Sequence, residues 1–92
     1  MSGFNLTLST DKKKYSPSDD IIYTAKLTNN GMPVQNEEIS IVDAESAVKN
    51  SVLTDSNGEA KFISHSSKKW SKATYTRTVM FGIKAQVTFE VV

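Results

Sequence analysis

Apolar and polar residues alternate along most of this chain, and the period is two. Phe4, Leu6 and Leu8 interleave with Asn5, Thr7 and Ser9, so one face of a first strand can enter a core while the other meets water. Asp11 and the run Lys12, Lys13, Lys14 break that pattern, and Ser16-Pro17-Ser18-Asp19 supplies a turn. Ile21, Tyr23, Ala25 and Leu27 form the next alternating set, which ends at Asn29-Asn30-Gly31. Those residue types tolerate the positive φ of a tight hairpin. Pro33 and Val34 lead into a strand with Ile39 and Ile41 on one face and Ser40 and Val42 on the other. Residues 44 to 48 fit a single helical turn or a short edge strand equally well.

Val52 and Thr54 precede Asp55-Ser56-Asn57-Gly58, and Ala60, Phe62 and Ser64 alternate after it, which reads as strand, tight turn, strand. A polar loop from His65 to Lys72 surrounds Trp70. Beyond it Ala73, Tyr75, Arg77, Val79 and Phe81 share one parity and Thr74, Thr76, Thr78 and Met80 the other. Gly82 makes a turn into a last strand with Ala85, Val87, Phe89 and Val91 on one face. No dozen-residue stretch shows helical periodicity. Six or seven short strands with frequent turns and no crossover helix predict an all-β sandwich; a small barrel would need more corner glycines than the 4 present.

Composition narrows the function classes. Ninety-two residues make one domain, with Met1 to Gly3 as an N-terminal start or cloning remnant and residues 4 to 92 as the folded unit. Eleven basic against 10 acidic residues leave a net charge of +1, so no global field steers the protein toward nucleic acid or an anionic membrane. Cysteine is absent, which removes disulfides, thiolate nucleophiles and cysteine metal sites together. No apolar run approaches membrane-spanning length, and no signal peptide is visible at the start.

The order of motifs resembles the bacterial immunoglobulin-like domains of invasin and intimin adhesins, also found on phage virions. Three segments carry the resemblance: the strand, turn and Pro-Val entry from Ile21 to Val34; the Thr-Asp-x-x-Gly-x-Ala element from Thr54 to Ala60; and Ala73-Thr74-Tyr75-Thr76. The resemblance implies an immunoglobulin-like β-sandwich of about seven antiparallel strands. It implies a non-enzymatic surface module acting as spacer or as adhesion or display domain of a bacterial adhesin or a phage capsid-decoration or tail protein. The location would then be extracellular, on a bacterial surface or virion. Expected partners are neighbouring domains of a larger protein or virion, and a host-cell surface protein or glycan. Two positions depart from the family pattern. Arg77 stands where an apolar residue is usual, which predicts either a bulge or a sheet end with the stem packed and the guanidinium in water. The loop Lys68-Lys69-Trp70-Ser71-Lys72 is longer and more basic than usual.

Strands alternating up and down bring the loops around Lys12 to Lys14, Asp43 to Asn50 and Ser66 to Lys72 to one end. Lys12, Lys13, Lys14, Lys68, Lys69 and Lys72 would then surround Trp70, and an aromatic among ammonium groups suits an acidic glycan, nucleic-acid phosphate or acidic protein. This is the alternative reading, an accessory binding domain. Asp11, Asp19, Asp20, Asp43 and Glu45 share those loops and oppose it, as does a Trp70 folded inward as a lid; general nucleic-acid binding and membrane insertion are not expected. Asp55, Asn57 and Glu59 offer too few oxygens for calcium, which takes about six to eight, and a tight turn already accounts for them. His65 beside Ser64, Ser66 and Ser67 lacks an oxyanion loop and, with no cysteine, a ligand set for zinc. No catalytic residue, metal or cofactor is predicted.

Overall fold

The computed structural model describes residues 3–42, 47–65 and 70–92. Among the described residues nine strands follow one another in sequence: β1 (Phe4–Thr10), β2 (Lys14–Tyr15), β3 (Ile21–Asn29), β4 (Met32–Pro33), β5 (Glu38–Val42), β6 (Ser51–Leu53), β7 (Glu59–Ser64), β8 (Ala73–Met80) and β9 (Lys84–Val91). In one sheet β3 is central, with β1 along one side and β7 and β4 sharing the other. The second sheet runs β2-β9-β8-β5-β6. The fold is therefore an all-β, immunoglobulin-like sandwich. β2 and β4, of two residues each, are additions to the seven strands that alternation predicts. Of residues 44 to 48, where the sequence suggests a helical turn or edge strand, 44 to 46 lie outside the described residues; Ala47, within that segment, bridges to Ser64.

Core positions follow the alternation. Ile21, Tyr23, Ala25 and Leu27 of β3, Ile39 and Ile41 of β5, Ala60 and Phe62 of β7, and Val87, Phe89 and Val91 of β9 are all buried. Phe89 is the centre of the aromatic packing. Tyr15 and Tyr23 meet its ring edge-on at 5.5 and 6.0 Å, and Tyr75 stacks on it at 5.6 Å. Three strands of two sheets converge on this one residue, whose truncation costs about 3–5 kcal/mol in sites of this kind.

Two connections differ from expectation. The lysine run is not purely loop, because β2 lies parallel to β9, with Lys14 opposite Glu90 and Tyr15 opposite Val91. Glu90 N–H donates to Lys13 O and Val92 N–H to Tyr15 O, each at 2.9 Å, so the backbone crosses from the first sheet to the second at Asp11 to Lys13. The Asp55 to Gly58 turn, for its part, does not close a hairpin: β6 belongs to the second sheet and β7 to the first. The element is instead a clip between sheets. Buried Thr54 accepts Glu37 N–H at its hydroxyl and donates its own N–H to Glu37 O, while Asp55 Oδ1 accepts N–H groups from Asn57 and Glu59. Leu27 N–H donates to Gly58 O at 2.8 Å, seating the turn on the end of β3.

Gly58 is the tightest point of that clip. It has φ +74°, and a Cβ there would lie 2.4 Å from Leu27 O and 3.2 Å from Val34 N. Gly31, in the two-residue β3–β4 turn, has a similar φ of +83° but nothing within 4 Å. Gly31→Ala should therefore cost about 1 kcal/mol, the left-handed penalty alone. Gly58→Ala must also displace backbone and should cost at least about 2 kcal/mol more. Urea unfolding of both variants measures the gap, and equal midpoints would mean that the clip has room for a methyl group after all.

Candidate functional site

Strand register assigns the loops to two opposite ends. Thr10 pairs with Tyr23, Ile21 with Ser64 and Ala73 with Val91, so the segments around Lys12 to Asp20, His65 and Trp70 to Lys72 gather at one end with Val92. At the other lie Gly3, the Asn30-Gly31 turn, Phe81 and Gly82, with Phe4 against Phe81 at 5.7 Å. The long axis between the ends is 39 Å.

Lys12, Lys13, Lys14 and Lys72 are exposed at the first end, while Lys68 and Lys69 lie outside the described residues. Trp70 is half-buried and packs on the core. Its N–H donates to Pro17 O at 2.7 Å, its indole Nε1 donates to Asp19 O at 3.1 Å, and its ring meets Tyr75 edge-on at 5.5 Å. The indole thus ties the Ser16 to Asp19 turn to the end of the second sheet, with its one polar atom already engaged. Next to it, Tyr75 Oη donates to Ser71 O at 2.7 Å. A tyrosine near the start of the penultimate strand bonding back to upstream backbone is the tyrosine corner of immunoglobulin sandwiches.

The acidic residues of this end are partly consumed internally. Asp11 accepts the hydroxyl of Tyr15 at 2.5 Å, and Asp19 Oδ2 accepts Ser16 N–H at 2.8 Å. His65 Nδ1 lies 3.2 Å from Asp20 Oδ2, an ion pair only when the imidazole is protonated. Tyr15 is pushed up from 10.0 to about 12, first by burial and then by the Asp11 carboxylate that holds its proton. At the clip, backbone N–H bonds from Glu59 and Asn57 hold the Asp55 carboxyl below its ordinary value. Asp55 Oδ1 faces these amides, and among the described residues no three His, Asp or Glu residues assemble as a metal site.

Arg77 sits in mid-strand with no bulge. It pairs with Val87 in an unbroken β8–β9 register and points inward on the parity of Val79. Its guanidinium lies 5.3 Å from the Tyr75 ring centre and Nη1 donates to Thr76 O at 3.2 Å, while buried Nε has no acceptor among the described residues. The bulge and the sheet-end placement are thereby corrected, since the strand is regular and Arg77 lies within it, while the packed stem is as expected, with the guanidinium over an aromatic face. Tyr75 and Tyr15 are the organising residues that alternation alone did not single out. A tyrosine four residues after Ser71 was the available signal for the first.

No family model matches this sequence, and no curated protein does. Among solved structures it is similar to the D0-D1 domain of intimin, at 22% identity over 92% of this chain with a TM-score of 0.69. It is also similar to the D00-D0 domain of intimin, at 23% identity over 96% of this chain with a TM-score of 0.71. The match spans 46% of each of those structures. Its fold is that of an intimin-type immunoglobulin-like domain.

The raised Tyr15 value has a consequence for alkaline stability. The unfolded protein ionises Tyr15 near 10.0 and the folded protein near about 12, so stability present below 10 is lost as pH rises through that interval. Tyr15→Phe should start lower by about 1 kcal/mol, having lost the Asp11 and Lys12 bonds, and then fall less steeply. Urea midpoints of both proteins across the interval test this; parallel curves would contradict it.

Proposed function

We propose that this domain is a non-enzymatic module of a surface adhesin, a spacer that joins neighbouring domains end to end and holds a contact surface away from its anchor. The placement of Gly3 and Val92 at opposite ends of a 39 Å body carries this reading. A polypeptide entering at one pole and leaving at the other adds length with every module. The similarity to domain-paired intimin structures supports a place within a larger protein. Val92 N–H bonds to Tyr15 O, so the exit is part of the second sheet rather than a loose tail, and a following segment would leave in a set direction. A phage capsid or tail protein would use the same geometry.

Small-angle scattering of the parent protein with its native flanking sequence tests the spacer role. Deleting residues 4 to 92 should shorten the maximum dimension by close to 39 Å. An unchanged maximum dimension would mean that the module sits beside its neighbours, and the reading would fail.

The basic end supports a second contact of the same module, with an acidic glycan or protein surface. Lys12, Lys13, Lys14 and Lys72 are exposed there, while Asp11 and Asp19 spend carboxylate oxygens on internal bonds. Because Trp70 is engaged, the contact would be electrostatic rather than stacked, and Lys68 and Lys69 would extend it. Retention on a heparin-like resin at low salt should fall when Lys12, Lys13 and Lys14 are changed to Ala, and vanish for both proteins in about 0.5 M salt. Equal retention of wild type and triple variant would reject the contact.

A further inference from the structure

Two Asn-Gly pairs occur in the sequence, Asn30-Gly31 and Asn57-Gly58, and the fold treats them oppositely. Deamidation of such a pair needs the glycine nitrogen to reach the amide carbon of the asparagine side group, so the peptide between them must swing about the asparagine Cα–C bond. At Asn30 the residue's own N–H is bonded to Gly3 O, but no hydrogen bond among the described residues holds the Gly31 side of the peptide against that swing. Both residues are exposed on the two-residue turn between β3 and the two-residue β4, a hairpin tip that opens at little cost. Gly31 N–H donates to no acceptor among the described residues, and the space beside its Cα is empty within 4 Å. At Asn57 the same motion is blocked. Gly58 is buried, its N–H donates to Asp55 O at 2.9 Å, and its Cα is lodged against Leu27 O. Asn57 N–H is itself held by Asp55 Oδ1 at 2.8 Å.

We propose that Asn30 is a spontaneous deamidation site and Asn57 its structurally protected counterpart. The Gly31 amide nitrogen, having lost its proton to base, bonds to Asn30 Cγ, and the Cγ–Nδ2 bond breaks with ammonia as leaving group. Water then opens the resulting succinimide at either carbonyl, leaving aspartate or isoaspartate. The balance is one water in and one ammonia out, without oxidation or reduction. The product carries a new carboxylate, which cancels the net charge of +1. In the isoaspartyl form the backbone gains a methylene at the turn whose Asn30 N–H donates to Gly3 O at 2.8 Å, so the N-terminal entry loses its fixed register.

Incubating the folded protein in mildly alkaline buffer, followed by ion exchange and peptide mass mapping, reads both sites in one sample. Conversion at Asn30 should exceed that at Asn57 by at least about tenfold, the factor set by one retained hydrogen bond of roughly 1.4 kcal/mol. In concentrated urea the two rates should converge. Gly31→Ala, which removes the Asn-Gly pair without creating another, should leave the protein without its early acidic form. Equal conversion of the two sites in the folded protein would overturn the proposal, and so would an Asn30 preference that persists undiminished in urea, since local sequence rather than fold would then set it.

Discussion

The sandwich depends on the contact that Phe89 makes with three tyrosines. An immunoglobulin-type sandwich must hold two twisted sheets about 10 Å apart, and many do so with a disulfide between them. This protein has no cysteine. Its substitute is a cluster in which Tyr23 reaches from the first sheet to Phe89 in the second, while Tyr15 and Tyr75 close on the same ring from the strands flanking β9. Aromatic pairs contribute about 0.5–1.5 kcal/mol beyond the area they bury, so three of them on one ring approach the roughly 2–4 kcal/mol typical of a disulfide. The cluster also fixes direction. Tyr15 can reach Phe89 only if β2 lies alongside β9, and that parallel pairing carries the backbone from one sheet to the other.

At the opposite pole the Phe4–Phe81 ring pair is accompanied by backbone bonds between segments. In the Thr54 to Gly58 clip the buried Thr54 hydroxyl and Gly58 carbonyl meet backbone groups of other segments, while the exposed Asp55 carboxylate closes the turn on its own Asn57 and Glu59 amides. Among the residues that invite a calcium reading, Asp55 thus spends Oδ1 on the geometry of the turn. The same economy operates at the basic end, where Asp11, Asp19 and the indole N–H of Trp70 hold turns in place. Lys12, Lys13, Lys14 and Lys72 face outward there beside the exposed Asp11 and Asp20.

Alternation made the inner faces of β3, β5, β7 and β9 legible, because a period of two with β-branched and aromatic residues has one structural solution. It could not report which sheet a strand joins. Thr54-Asp55-Ser56-Asn57-Gly58 looks the same whether its flanking strands pair or part, so the turn was legible and its role as a clip was not. Parallel pairing leaves no turn signature either, and Lys12-Lys13-Lys14 therefore resembled a solvated loop although its last residue lies opposite Glu90. Trp70 among lysines suggested display by composition; its inward anchoring depends on the Pro17 and Asp19 carbonyls, far away in sequence.

Arg77 shows how a local rule can hold while its usual chemistry changes. Strand parity requires the residue between Tyr75 and Val79 on that face to point inward, and the unbroken register confirms that it does. An inward arginine is costly only where its charge is stripped of water without compensation. Here the residue is half-buried, the delocalised cation lies over the Tyr75 ring, and one Nη is bonded to Thr76 O, leaving Nε as the single buried atom without an acceptor among the described residues. The Tyr75 ring therefore has Phe89 stacked on it and both Arg77 and Trp70 against it, while its hydroxyl closes the corner at Ser71. An apolar residue at position 77 would fill the same space without the cation. Tyr75 is thus the link between the aromatic core and the end that carries the exposed lysines, so that this end is braced directly by the part of the structure that holds the two sheets together.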